Sequence, residues 1–351
     1  MIAILMVTSK GLAGVPRAIG NLVTTVVWQL TDLPKESRDS SVAPSLRVVE
    51  ALPAWLSPRR TIGGFYVVRA LSAGAVGSVF VATRFEDKGD PSAERFALKV
   101  PEYSASVARS LSEVEFLTMF RDEASALIAL PQHPNLARFV TFDAGSKPKP
   151  ILVMELVEGT TLEHVLEARG VDTARVLQVL DDVLRGLEAM HAAGVGHLDL
   201  KPSNVVLRRN EQAVLVDFGL AGRHIRPGCA TGAYGAPEVW GALEGRKDLT
   251  PMKADVYAFG CVAFEALTAR VLFQADTEMA QIAKHVGHDG FPPPLRALSK
   301  HADLGPLTEL LFSTLRQDPS MRPTAAAVRR DLARMAPALA RASWPLREPS
   351  A

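Results

Sequence analysis

Two cysteines among 351 residues, Cys229 and Cys261, leave no disulfide framework, and neither stands among residues that would complete a metal site. That usage fits a reducing compartment, so a cytoplasmic protein is expected. Charge of one sign is also lacking: 39 Lys and Arg against 38 Asp and Glu give a net charge of +1. There is no global pull toward nucleic acid or an anionic membrane, and no nucleic-acid partner is expected. No apolar run reaches bilayer length. Residues 2–7 are apolar but short, with no basic stretch before them, which argues against a cleavable leader. Residues 11–30 are interrupted by Arg17, Asn21, glycines and threonines. Leu12, Val15, Ile19, Leu22, Val26 and Leu30 recur there at helical spacing, which predicts an amphipathic helix packed on its own protein or on a partner. It lacks the rich Lys/Arg face of a membrane-surface helix.

What is present is a hydrophobic content of 48%, ample for large cores. Residues 34–49, rich in Pro, Ser and mixed charge, read as a linker, and residues 50–60, with two prolines and two arginines, as its continuation. Residues 1–60 are thus taken as an N-terminal extension. From Thr61 the pattern changes. Phe65-Tyr66-Val67-Val68, Val79-Phe80-Val81-Ala82 and Phe96-Ala97-Leu98-Lys99-Val100 read as short strands, with an exposed charged connection at 84–95. Residues 107–130 read as a helix with Phe116, Phe120, Ala124 and Leu127 on one face, and Ile151-Leu152-Val153-Met154 as a buried strand. Beyond Gly159 the chain turns helical. Thr160 and Glu163 suggest a capping box. A long helix over 173–193 carries Val176, Leu177, Leu180, Leu184, Leu187 and Met190 on its apolar face, and further helices are placed at 252–268, 306–316 and 323–335. Residues 337–351 read as a loosely ordered C-terminal tail. Strands first and helices afterwards predict an α+β fold of two subdomains.

The most specific stretch is His197-Leu198-Asp199-Leu200-Lys201-Pro202-Ser203-Asn204, followed by Asp217-Phe218-Gly219. Asp199 can orient a hydroxyl and accept its proton, Lys201 can neutralise a transferring phosphate, and Asn204 and Asp217 offer hard oxygen ligands for magnesium. The apolar segments 205–207 and 214–216 would hold these groups on a short hairpin. The pattern resembles the catalytic and metal-binding loops of eukaryotic-type (Hanks-type) serine/threonine protein kinases, with one departure: Leu198 stands where most members carry arginine. Lys201 and the Pro202-Ser203 pair resemble serine/threonine rather than tyrosine kinases. The composition and the segment 228–238 look more like bacterial members.

The resemblance extends from about residue 61 to about residue 335. It implies a two-lobed kinase domain at 61–336. The small lobe, mainly antiparallel β with the helix that the family calls αC, would span 61–155, and the larger, mainly α lobe 156–336. Leu71-Ser72-Ala73-Gly74-Ala75-Val76-Gly77-Ser78-Val79 lies between two strands, where glycines let backbone N–H groups approach phosphate oxygens; a dinucleotide fold would need a helix next, and here a strand follows. It resembles the kinase glycine-rich loop with Ser72 at the first glycine position and Gly74 and Gly77 retained, so reduced loop flexibility is expected, with nucleotide binding kept. Lys99, inside an apolar strand, needs a partner. It resembles the lysine that holds the α- and β-phosphates. The resemblance of 120–135 to the end of αC favours Glu123 as that partner, with Glu115 as the alternative. Met154-Glu155-Leu156-Val157-Glu158-Gly159 resembles the hinge. Met154 would back the adenine pocket, the backbone of Glu155 and Val157 would meet the base, and Val79 and Ala97 above with Val206 below would sandwich it.

Downstream, Thr231-Gly232-Ala233-Tyr234-Gly235-Ala236-Pro237-Glu238 resembles the substrate-docking segment, with Glu238 paired to Arg322 and Asp255 bonded to the catalytic-loop backbone, both in structural roles. In most members the arginine before the catalytic aspartate meets a phosphate on this segment, which Leu198 cannot do. From Leu220 to Pro237 the only hydroxyl residues are Thr231 and Tyr234, and Thr231 matches the threonine that touches the catalytic Asp and Lys. The resemblance therefore implies transfer of the γ-phosphate of Mg-ATP (manganese being an alternative ion) to protein Ser/Thr hydroxyls, without activation-segment phosphorylation. A nucleotide-binding pseudokinase is the competing reading, resting on Ser72 and Leu198. A small-molecule phosphotransferase is a third, disfavoured by the Ala-Pro-Glu segment and the Arg322 motif.

Overall fold

A computed structural model describes residues 52–74, 77–105, 107–109, 111–241, 243 and 249–347. The amphipathic stretch at 11–30 and the linker at 34–49 lie outside the described residues, as does the tip of the glycine-rich loop at Ala75-Val76.

Six strands form one antiparallel sheet in the order β1-β2-β3-β4-β6-β5: β1 (Thr61–Ile62), β2 (Phe65–Gly74), β3 (Gly77–Arg84), β4 (Phe96–Pro101), β5 (Phe139–Asp143) and β6 (Ile151–Glu155). Register and period-2 alternation sort its side chains. Phe80, Leu98 and Val153 lie across one another on one face; Val79, Lys99 and Leu152 lie on the other, beside Val81, Ala97 and Met154. The first face, with Phe65, Phe96 and Ile151, forms its own apolar cluster. Residues 52–60, expected as linker, cover it instead. Leu56 is buried in the cluster, and Trp55 stands edge-on to Phe80 with ring centres 5.9 Å apart while donating Nε1–H to Glu102 Oε1 at 3.1 Å. The fit of Trp55 and Leu56 to an open sheet face is invisible along the sequence.

Behind the sheet lies α1 (Glu113–Ile128). It begins later than the expected 107, after a separate 3₁₀ turn at Val107–Arg109, because Ser112 caps it: Ser112 Oγ accepts from Glu115 N–H, and Glu115 Oε2 accepts from Ser112 N–H at 2.9 Å. Phe116, Phe120, Ala124 and Leu127 face inward as expected.

The second lobe holds β7 (Gly159–Thr161), β8 (Val205–Arg208) and β9 (Ala213–Leu215) in a small sheet, with α2 (Leu162–Ala168), α3 (Thr173–Ala192), α4 (Pro251–Thr268), α5 (Glu278–Gly287), α6 (Pro293–Leu298), α7 (Gly305–Thr314) and α8 (Ala325–Leu339). The cap of α2 is Thr161, whose side chain accepts from His164 N–H at 3.2 Å, while Thr160 lies in β7 opposite Leu207 of β8; the cap falls one residue later than expected, and with His164 at its third position no capping box closes. Helix α4 is apolar nearly all round and sits at the centre of the lobe. Helices α5 and α6 were not anticipated. The expected loose tail is anchored as far as residue 347, the last one described. Helix α8 runs to Leu339, Thr173 Oγ1 donates to Ala342 O at 2.7 Å, Trp344 Nε1 to Ala266 O at 2.7 Å, and Leu346 N to Leu267 O at 2.9 Å. Among the described residues no helix is long and apolar enough to cross a membrane.

One polar chain runs through this core. Gly290 N–H donates to His288 Nδ1 at 2.8 Å, so the His288 proton sits on Nε2, 2.9 Å from the Tyr257 hydroxyl, which in turn lies 2.9 Å from His285 Nδ1. Burial holds His285 down to about 3 and His288 down to about 4. Both folded values lie below the unfolded one, so their contribution is fully present above about 6.5 and is lost as pH falls toward the folded values, by about 2 kcal/mol per histidine near pH 5. Thermal melts of the wild type against His288→Gln should show a shallower acid decline in the variant; parallel curves would contradict the assignment.

Candidate active site

The hairpin β8–β9 and the turn before it set the catalytic run. Two N–H groups anchor that turn on the fully buried carboxylate of Asp255 in α4: His197 N donates to Oδ2 at 2.8 Å and Leu198 N to Oδ1 at 2.7 Å. His191 Nε2 meets the same Oδ2 at 2.9 Å. Leu198 itself adopts φ +62°, a left-handed conformation costly for a branched side chain. The double anchor holds it there, and the reversal points Asp199 away from the core. His197 Nδ1 accepts from Asp199 N–H at 3.3 Å, so its Nε2–H donates to Val216 O at 3.2 Å, and its ring packs 5.4 Å from Phe218. That imidazole ties the backbone of Asp199 to the strand that delivers Asp217.

Around Asp199 the side chains converge. Oδ1 accepts from Thr231 Oγ1 at 2.7 Å, and Oδ2 lies 2.9 Å from Lys201 Nζ. Lys201 also donates to Thr231 Oγ1 at 3.0 Å. Asn204 Nδ2 donates to the Asp199 carbonyl at 2.9 Å and to its Oδ2 at 3.1 Å. With its NH₂ turned inward, Asn204 keeps Oδ1 for another ligand. Asp217, at φ +57°, presents an exposed carboxylate that receives one long bond, 3.4 Å, from Gly219 N–H, while Phe218 is fully buried beneath it. An amide oxygen and a free carboxylate fit a hard cation that keeps water and phosphate oxygens as its other ligands. Among the described residues no group of three His, Cys, Asp or Glu could hold a metal alone.

Facing this hairpin, Lys99 Nζ lies 2.6 Å from Glu123 Oε1, both buried. Glu115, the alternative partner, is committed to the cap of α1. Burial pushes the Glu123 carboxyl up, against the opposing pull of Lys99. A Cβ on Gly219 would come within 2.8 Å of Lys99 Nζ, so the ammonium sits close over the Asp217-Phe218-Gly219 turn. Val79, Ala97 and Met154 share the sheet face that bears Lys99, and Val206 is buried in β8 of the other lobe. Glu155 continues β6, its carboxylate 2.6 Å from Arg208, and Val157 is half-buried just beyond. Ser72 pairs with Val79 and Gly74 with Gly77 along the β2–β3 ladder. A Cβ on Gly77 would meet Val100 O at 2.7 Å, so that position requires glycine for close strand approach.

Two further contacts organise the segment after Asp217. Glu238 and Arg322 form a fully buried fork, Nη1–Oε1 2.6 Å and Nη2–Oε2 2.9 Å. The Tyr234 hydroxyl donates to Glu265 Oε2 at 2.7 Å, and burial, with the nearby Glu265 charge, drives the phenol's ionisation well up. That pair, 31 residues apart, carried no sequence signal.

A small, curled antiparallel sheet with one helix, a helical second lobe, and a lysine–glutamate pair facing an Asp/Lys/Asn/Asp hairpin define a protein kinase architecture. A family model for the protein kinase domain matches residues 65–332, and the chain belongs to that family. It is similar to the serine/threonine-protein kinase PknB of Mycolicibacterium smegmatis, 32% identical over 248 residues covering 66% of this chain and 37% of that protein. The serine/threonine-protein kinase pkn2 of Myxococcus xanthus is 30% identical over 273 residues, 75% of this chain and 31% of its own length. The probable serine/threonine-protein kinase pknA2 of Bifidobacterium longum is 28% identical over 300 residues, covering 83% and 37%. The matches thus span about a third of the length of these relatives.

Proposed function

We propose that the chain is an ATP-dependent protein serine/threonine kinase of a reducing, cytoplasmic compartment. The observation that carries this is the convergence of Asp199, Lys201, Asn204 and Asp217 on one hairpin opposite the Lys99–Glu123 pair. Lys99, held by Glu123, would grip the α- and β-phosphates, and the backbones at Ser72, Gly74 and Gly77 would cover them. Asn204 and Asp217 would hold magnesium, which when bound supplies charge neutralisation of the phosphates. Val79, Ala97, Met154 and Val206 would enclose the adenine, with the backbone of Glu155 and Val157 reading its edge. Asp199 would orient the substrate hydroxyl and take its proton, while Lys201 offsets charge on the γ-phosphoryl group; positioning supplies most of the rate. The names of the relatives favour serine and threonine as acceptors.

Activity should not require phosphate on residues 220–237. Both hydroxyls there are engaged, Thr231 with Asp199 and Lys201 and Tyr234 with Glu265. Leu198 has no charge to offer a phosphate. Ser72 and Leu198 favour the pseudokinase reading, but neither removes a group placed to touch phosphate or metal. Phosphoamino-acid analysis of a protein substrate labelled from γ-³²P-ATP and Mg²⁺ should yield phosphoserine or phosphothreonine, and mass spectrometry of the active chain should find residues 220–237 unmodified. Phosphotyrosine alone, or a segment phosphate on which activity depends, would sink the corresponding half of the reading.

A further inference from the structure

Leu198 combines a left-handed backbone with a buried aliphatic side chain. Its φ is +62°, its N–H is held by Asp255 at 2.7 Å, and its side chain is 9% exposed within the main apolar cluster. It lines a small cavity whose apolar walls include Ala230, Ala236 and Val239 from the segment after Asp217 and Ala254 and Ala258 from α4, with Asp199, Thr231 and Asp255 forming its polar side. The same segment is tied by Gly228 N–H to Val239 O at 2.7 Å and by Gly235 N–H to Thr231 O at 2.9 Å. Thr231, between Ala230 and the Tyr234 wall, is the residue that bonds Asp199.

We infer that Leu198 is a positioning residue, an apolar latch that seats the substrate-docking segment against α4 so that Thr231 and Asp199 are aligned without phosphate. The inference rests on the kinase reading above and names what fixes the segment in it. The physical logic is substitution of one kind of attraction for another. A cation at position 198 would need an anion on the segment; an aliphatic side chain there needs apolar walls, and the segment supplies them from Ala230, Ala236 and Val239. The left-handed backbone aims the leucine into those walls, and Asp255 holds it in that conformation through the two N–H bonds.

Amide hydrogen exchange across residues 228–239 of the unphosphorylated chain reads the latch directly. Leu198→Ala should accelerate exchange there by at least about tenfold while leaving α1 and β4 unchanged. The volume-conserving Leu198→Met should retain wild-type protection. Leu198→Arg, which trades the aliphatic contact for a guanidinium that competes for the Asp199 and Asp255 carboxylates lining the same cavity, should loosen the segment as the alanine does. Val239→Ala, on the opposite wall, should loosen the same residues, so the idea stays testable if a change at 198 impairs folding. In peptide phosphorylation the alanine variant should raise peptide KM or lower kcat about tenfold with ATP KM unchanged, and methionine should rescue both. Unaltered exchange over 228–239 in both Leu198→Ala and Val239→Ala, or a uniform rise throughout the lobe, would overturn the latch. Absence of phosphotransfer in the wild type would instead refute the kinase reading, with the exchange comparison still deciding the latch.

Discussion

Asp199→Asn should lower the phosphotransfer rate by about 10²–10⁴-fold while leaving nucleotide affinity within a few-fold of wild type. On the proposed reading, the substitution removes the carboxylate that would accept the hydroxyl proton. It also reverses the local hydrogen-bond logic. Asp199 Oδ2 now accepts from Asn204 Nδ2 at 3.1 Å and faces Lys201 Nζ at 2.9 Å. An asparagine that keeps its oxygen toward Thr231 puts its NH₂ against those two donors, so Lys201 loses its carboxylate partner at the same stroke and keeps only Thr231. The Lys99–Glu123 pair and Asp217 are untouched, which is why binding of the nucleotide should survive. Initial rates with a protein substrate, beside a nucleotide titration of both proteins, separate the two effects. A variant within tenfold of wild type would remove Asp199 from the role assigned to it.

Glu238→Gln should lower stability by about 3–5 kcal/mol, because it strands a buried guanidinium rather than deleting a pair. Arg322 is fully enclosed. Its remaining bonds go to neutral carbonyls: Nε to Arg316 O at 2.7 Å, Nη1 to Lys253 O at 2.9 Å and Nη2 to Gln317 O at 3.2 Å, with the Tyr257 ring 4.9 Å away. None supplies the missing charge. For a domain of this size the loss corresponds to a Tm lower by about 10 °C. Adding Arg322→Met should recover part of it, since it removes the stranded guanidinium charge, and Glu238→Met with Arg322→Met should recover more, because both partners are then apolar. A single variant melting within about 2 °C of wild type would mean the fork contributes little.

How far the sequence revealed this molecule depended on how local each feature is. The catalytic run and Asp217-Phe218-Gly219 lie within 23 positions of one another, and their chemistry is carried by residue type, so the hairpin was readable. The strands β2, β3, β4 and β6 and the faces of α1 and α3 follow from periods of two and 3.6. The resemblance at 120–135 favours Glu123 over Glu115, and the structure gives the physical reason: Ser112 claims Glu115 in a cap, and Glu123 reaches Lys99. Helix α5 escaped because its inward face is only Ile282 and His285, a histidine in a position where an apolar residue would have announced the period. Helix α6 opens on Pro293-Pro294, which reads as a turn although proline suits a first helical turn. The segments 52–60 and 340–346 failed for another reason. Trp55 and Trp344 find their partners, Glu102 and Ala266, 47 and 78 residues away. No local pattern encodes such contacts.

The central claim is that this chain transfers phosphate to protein hydroxyls with a segment that needs no phosphate of its own. The most direct test is a γ-³²P-ATP assay with Mg²⁺ on wild-type protein whose residues 220–237 mass spectrometry shows to be unmodified, run beside Asp199→Asn. Sustained transfer to serine or threonine by the wild type, and its loss in the variant, is the predicted result. Equal signal from the two proteins, or an unmodified wild type that is silent until the segment is phosphorylated, would contradict it.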